Sequence, residues 1–383
     1  MFSGLGHRFR GHARNLRGWR ADRKYVVLES DDWGAVRAPR TELHERFIKD
    51  FHPYSNYPYL RFDALERSED IERLADVLAS CSDADGKAAI LTANVVVGNP
   101  DFEQLIDGGY SQYAWEPFRT TYERYDGNGS AWLAFEAAMA GGHFIPQFHG
   151  REHVNVPVWL NLLRAGHQAS RKCLEYHSFA VPWQLINGPL RLQASLDYVH
   201  EQPLAYQRSF LEEGLAEFQR VFGHGSGTFI PNNFILPQNL MPLCRELGVR
   251  ALQGIGSVVA PVAERSPGRK PDRRWSGYKY SESMAHLVRN CIFEPFESKV
   301  PDTEVDRCLK EMAIAFSWRR PAIISTHRAN YIGRLDQAHA DGNLKRLGLL
   351  LSEITRRWPD AVFIDSASLA DRMIGPSEAF ASA

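Results

Sequence analysis

Two carboxylates stand side by side in "ESDDWG" (29–34), directly after the apolar run "KYVVL". Adjacent acids repel, and a strand alternates its side chains between faces. Asp31 and Asp32 at one strand end therefore imply a cation that one of them holds while the other handles protons. A second cluster is "QFHGREHVN", where His149 and His153 stand four apart, so that on one helical turn they would share a face. A third is "AIISTH", which ends in His327. One carboxylate and two neutral imidazoles make a three-ligand site with positions left open for water and substrate. A divalent ion in such a site lowers the pKa of bound water from ~15.7 towards ~7 and polarises a carbonyl. Asp32 suits the ligand, Asp31 the base that takes the water's proton, and His327 the acid that protonates the departing group. Zinc is the default for these N/O donors, with cobalt, manganese or nickel fitting similar geometry.

These residues must be carried to one place by the elements between them. Short apolar runs read as buried strands at 25–30, 88–97, 143–149, 227–235, 249–254, 290–296, 322–327 and 361–365. Amphipathic helical patterns lie between many of them, at 68–81 (with Ser68 as its N-cap), 130–141, 209–223 and 342–358. Strands alternating with helices imply a mainly parallel sheet buried on both sides. Seven or eight strands in 383 residues favour a closed or nearly closed β/α barrel, whose active groups sit at the C-terminal strand ends. Asp31, Asp32, His149, Asn232, Asn233 and His327 all fall at such ends, and Asn94 either points into the site or caps its turn.

Two segments read as long loops, 107–129 and 257–283. In the first, Tyr113, Trp115, Phe118, Tyr122 and Tyr125 form either a platform for sugar rings or an ordinary small core. The second carries "RSPGRKPDRR", either an anion site or a solvated loop. His177 reads as a surface histidine.

Composition sets the outer limits. The chain is 44% hydrophobic and 24% charged with net charge −1, which argues against a nucleic-acid binder. No run of about 18 apolar residues and no secretory core is visible, so a cytoplasmic location is expected. Five scattered cysteines without CxxC spacing read as free thiols. The basic start, "HRFRGHARNLRGWRADRK", is either a solvated leader or a peripheral contact with anionic lipid at the inner membrane. The expected division is a leader over 1–24, one catalytic domain over 25–372 and a tail over 373–383.

"SDDWG", "HGREH" and "ISTHR" resemble the first, second and last motifs of the polysaccharide deacetylases, the NodB-homology or carbohydrate esterase 4 family. The resemblance implies a distorted (β/α)7-8 barrel, a single domain with long loop insertions, that removes N-acyl groups from amino sugars. It implies Asp31 as base, Asp32, His149 and His153 as metal ligands and His327 as acid. Three departures stand out. Glu29-Ser30 replaces the usual Thr-Phe, and Gly150 stands where Ser or Thr is usual. The third motif, normally Arg-x-Pro-Tyr, reads "FIPNNFI" and lacks its Arg. Asn232 or Asn233 then remains to bind the oxyanion, and Arg151, Arg289 and Arg328 are the candidates to steer the base.

The expected reaction is deacylation, acetyl or formyl, of a lipid- or nucleotide-linked amino-sugar glycan during surface-polysaccharide (O-antigen-type) biosynthesis. Three other readings stand beside it. The acyl group passes to another amine of the glycan; the protein binds glycans without turnover; or the triad is that of a non-haem iron oxygenase.

Overall fold

The computed structural model describes residues 2–199, 204–265 and 272–375. Most of the cationic loop "RSPGRKPDRR" (266–271) and residues 376–383 of the expected tail lie outside them.

Ten strands form the main sheet: β1 (Lys24–Trp33), β2 (Leu91–Val96), β3 (Phe144–Gly150), β4 (Thr228–Phe229), β5 (Ala251–Gly254), β6 (Tyr278–Ser281), β7 (Met284–Val288), β8 (Cys291–Ile292), β9 (Ala322–His327) and β10 (Ala361–Phe363). Their order is β6-β7-β5-β4-β3-β2-β1-β9-β8, with β10 also paired to β1. Every pairing is parallel except the β6–β7 hairpin. The two edges meet through one stretch of chain. The Arg289 amide donates to the Gly254 carbonyl at 2.8 Å, and the next amide, Asn290, donates to Ile323 at 3.1 Å. The segment from β7 to β8 thus pairs with β5 and then with β9, and the sheet curls into the expected distorted barrel.

Burial explains why these runs became strands. Every residue of β1 after Lys24 is buried, as is all of β2. Such strands read as continuous rather than alternating apolar runs because helices cover the outer face. The covering helices use the expected periodicity. Helix Ser68–Ala79 buries Ile71, Leu74 and Leu78, and helix Gln337–Arg357 buries Leu344, Leu347, Leu351 and Ile354. All five cysteines are buried and free.

Several local expectations are corrected. Ser68 is the first helical residue rather than the cap; Arg67 takes the cap position, its backbone N–H donating to the Asp70 carboxylate at 3.0 Å. The strand expected over 227–235 shortens to two residues, because Asn233 and Phe234 adopt positive φ (54° and 60°) and turn the chain. The segment 107–129 is not a bare loop: it contains helix Phe118–Asp126, with Phe118 and Tyr122 fully buried. The basic leader forms helix Phe2–Asn15, and the chain just beyond that helix is tied down. Arg320 donates to the carbonyls of Asn15, Leu16 and Gly18. Among the described residues no helix is long and apolar enough to cross a membrane.

The long outer helix gives a test of packing. Leu347 is fully buried in the main hydrophobic core. Leu347→Ala should lower unfolding stability by about 2–5 kcal/mol, read as a lower urea midpoint at unchanged slope.

Candidate metal and acid–base centre

The end of β1 answers how two neighbouring acids reach one site. The β1–β2 register shifts between Ser30 and Trp33, and Asp32 takes φ 76°, a left-handed conformation that costs a non-glycine residue energy. The bulge re-aims the second carboxylate, so both line one cavity. Each then has its own guanidinium. Arg289, just beyond β7, grips Asp31 with two bonds of 2.6 Å and also reaches Glu29 at 2.6 Å. Arg37 grips Asp32 with bonds of 3.0 and 3.1 Å and reaches Asp63 at 2.7 Å. Burial alone would raise the Asp31 pKa, but Arg289 overrides it and holds the carboxyl down at about 2. Asp32 also lies well below the usual range: burial opposes this, and Arg37 with the histidines prevails.

His149 is the next-to-last residue of β3, and His153 follows from the loop beyond it. The two are not on one helical turn, as the spacing suggested; Gly150 breaks the path with φ 126°. A Cβ there would lie 2.8 Å from Phe210 and 3.1 Å from the Asn232 side chain. That crowding excludes the Ser or Thr usual at this position. The turn brings the Nε2 atoms of His149 and His153 each to 3.3 Å from Asp32 Oδ1. Donors at ~2.0–2.2 Å around a tetrahedral ion are roughly 3.4 Å apart, so the spacing matches. The ligand atoms of all three residues fall within 4.8 Å of one another, and all three are buried. His149 Nδ1 lies 2.8 Å from the Ile230 carbonyl, so that nitrogen is the donor and Nε2 keeps its lone pair for an ion. Burial pushes His153 down to about 3, so it is neutral and able to ligate. Among the described residues this is the one group of three such side chains close enough to hold an ion, and its donor chemistry fits a divalent metal.

His327 ends β9 in register with Asp31 of β1, so both emerge at the same rim. Its Nε2 lies 3.7 Å from Asp31 Oδ2, and its Nδ1 donates to Glu294 at 2.7 Å. Glu294 is fixed in turn by the Asn330 amide at 2.9 Å. Burial would lower the imidazole pKa, but Glu294 and Asp31 overcome it and push it up to about 10. His327 is an imidazolium at neutral pH.

The remaining candidates separate clearly. Asn94 points inwards and donates to Asp31 Oδ1 at 2.8 Å. Asn232 does not face the cavity; its amide donates to the His149 carbonyl and its oxygen accepts from Ser195. Asn233 does line the cavity. Of the three arginines expected to steer Asp31, only Arg289 touches it. Arg151 pairs with Glu152 and Glu213 inside a cage that includes Tyr113, Trp115 and Tyr206. Arg328 is buried between Asp63 and Glu66. Trp115 therefore packs on Arg151 instead of forming a sugar platform, Tyr125 covers Arg40, and His177 stacks on Phe102.

Sequence reasoning missed Arg37, Glu294, Tyr57, Tyr59, Arg191 and Gln193, all at or beside the centre. Glu294 was detectable, since it stands at the end of "NCIFE" as the other polar residues stand at theirs. Arg37 lies in irregular chain, and the Tyr57–Tyr59 pair sits at the start of a five-residue helix, Pro58–Phe62, too short for spacing to carry a signal. The cavity above the centre measures about 310 Å³ and is walled by Tyr57, Tyr59, Arg191, Gln193, Asn233 and Phe234.

No family model matches the chain, and none of the curated proteins does. Among solved structures it is similar to a protein from Mycobacterium smegmatis, provisionally described as a polysaccharide deacetylase. That likeness has 10% identity and TM-score 0.44 over 93% of this chain and 92% of the other. A Pseudomonas aeruginosa PAO1 protein with the same provisional description aligns at 10% identity and TM-score 0.44, over 91% and 89%. A 4-alpha-glucanotransferase from Thermococcus litoralis aligns at 8% identity and TM-score 0.44, over 91% of this chain and 40% of that one. The chemistry must therefore be read from the side chains themselves.

Proposed function

We propose that the protein is a metal-dependent hydrolase that removes an N-acyl group, acetyl or formyl, from an amino sugar of a glycan. The observation that carries this reading is the juxtaposition of a three-donor cluster with a separate carboxylate and an imidazolium at one barrel rim. Asp32, His149 and His153 would hold the ion. Bound there, the ion would activate water and polarise the acyl oxygen.

The chain's own groups supply the rest. Asp31 is ionised across the working pH range, so it is always ready to accept the proton of an attacking water. Arg289 and Asn94 fix its two oxygens, which sets the direction of that acceptance. A new C–O bond forms as the amide C–N bond breaks, giving a carboxylate and an amine. His327 delivers the amine's proton from Nε2 while Glu294 holds the opposite nitrogen. Asn233, at the wall, is a side-chain amide placed to meet oxygen charge on the substrate. An oxygenase would not need a second acid beside the ligand or an imidazolium opposite it, and here both are built in. The resemblance to polysaccharide deacetylases motivates the glycan substrate and its place in surface-polysaccharide biosynthesis.

Three outcomes test the reading. Metal analysis of the loaded protein should find one divalent ion per chain, falling below about a tenth in Asp32→Ala and His153→Ala but retained in Asp31→Asn. Incubation with N-acetylated or N-formylated oligosaccharides should release acetate or formate, and a chelator should stop it. Asp31→Asn and His327→Ala should each lower kcat by roughly 10²–10⁴; full activity in both would remove the assigned roles.

The pH profile follows from His327. Its folded pKa is raised, so the acid form is present below about 10 and lost as pH rises through that value. A cation at the neighbouring ligands would draw this limb lower. Glu294→Gln removes a raising charge, so the alkaline limb of kcat/KM should move down by about one to three pH units.

A further inference from the structure

The catalytic cavity does not end at its own wall. Tyr57, Arg191, Gln193 and Asn233 also line a second, larger groove of about 590 Å³, which continues along residues 181–193 and Tyr54. Small-molecule sites run from about 300 to 1,000 Å³, so the first cavity suits one reacting unit and the groove accommodates what is attached to it. Three aromatic side chains are left in solvent around this groove: Trp183 at 68%, Tyr57 at 43% and Tyr54 at 37% exposure. Single exposed aromatics need no explanation, but three on one concave surface mark a binding face. Their flat apolar rings with polar tips, beside Gln184 and Gln193, match the alternating apolar and hydroxylated faces of sugars.

Arg191 stands at the junction of cavity and groove and is exposed. It differs from the other guanidiniums around the centre. Arg37, Arg289, Arg151 and Arg328 are each held by buried carboxylates. Among the described residues no carboxylate lies within ion-pair distance of Arg191, and it neighbours the rim without touching the metal donors. A free guanidinium fork suits an oxyanion with two accessible oxygens.

We infer that the substrate is an extended, anionic glycan: the acylated amino sugar enters the metal cavity, the next unit presents an oxyanion to Arg191, and further units lie across Trp183 and Tyr54. The inference rests on the glycan reading above and narrows its class. The oxyanion is a carboxylate of a uronic acid or a phosphate of a phospho-linked sugar, and the two are separable.

The test is calorimetric binding to the metal-loaded protein, which requires no turnover. The probes are an N-acetylated glucosamine tetramer, a tetramer of the same length containing uronate, and a nucleotide-diphosphate-linked N-acetylglucosamine. One of the anionic probes should bind at least about tenfold more tightly than the neutral tetramer, as one charge-assisted pair implies; which one does identifies the source. Arg191→Gln should erase that preference while leaving metal content unchanged. Trp183→Ala should weaken both tetramers alike and spare the shorter nucleotide-linked sugar. Equal affinity for neutral and anionic probes, a preference that survives in Arg191→Gln, or no binding of any probe overturns the inference. Failure of the deacylation reading is distinguishable: acyl release would be absent while the Arg191-dependent preference persisted.

Discussion

Two like charges fixed on consecutive residues in a buried site would normally keep one proton between them. Here both stay ionised because each carboxylate has a guanidinium of its own, Arg289 for Asp31 and Arg37 for Asp32. The arginines in turn need partners, since a buried unpaired cation is as costly as a buried unpaired anion. Glu29 shares Arg289, and Asp63 shares Arg37. Asp63 also meets Arg328, which meets Glu66. Two chains of alternating charge result: Glu29–Arg289–Asp31–His327–Glu294, and Asp32–Arg37–Asp63–Arg328–Glu66. Removing any interior member leaves its neighbours uncompensated, so the site is stiff for an electrostatic reason as well as a steric one.

The barrel supplies what those chains require, namely strand ends converging from distant sequence. Asp31 and Arg289 are far apart in the chain yet are joined by two bonds because β1 and the β7–β8 segment both flank β9 in the curled sheet. Polar side chains continue downward from Asp31. Asn94 bonds Asp31 and Gln253, Gln253 bonds Thr228, and Thr228 bonds Gln147. Asn94 and Gln253 each use both amide hydrogens here, as a buried polar network must if it is to fix one arrangement. A slip of one residue in β1 would turn Asp31 to the opposite face and break both layers at once. The register is therefore specified by charge as well as by apolar burial.

The features legible in the sequence divide along the same line. Strand runs such as 25–30 and 322–327, and the periodic helices 68–81 and 342–358, were legible because burial writes a regular pattern. The polar residues at strand ends were legible because barrels place groups there. Features that depend on irregular backbone were not. The helical face inferred for His149 and His153 fails at Gly150, whose φ of 126° no pattern announces. The helix over 118–126 was hidden because its buried positions, Phe118 and Tyr122, are embedded among other aromatics with no clean period. Arg151, Arg289 and Arg328 were indistinguishable by sequence; only the fold shows that Arg289 faces Asp31 while the other two serve ion pairs elsewhere.

That choice of arginine has a structural consequence. An arginine reaching Asp31 from the end of β4 would occupy the chain at 230–234, at the cavity wall. With Arg289 arriving from the other side of β9, this stretch is released from that duty. β4 ends after two residues, and Pro231–Phe234 turns outward through two positive-φ residues. Asn233 and Phe234 then become cavity wall, while Asn232 turns back to hold the His149 carbonyl. The wall they leave is also the one through which the cavity opens to the groove at Arg191 and Gln193. Arg289 thus pairs with Asp31 from across β9 and leaves the wall at 231–234 free to open onto the groove.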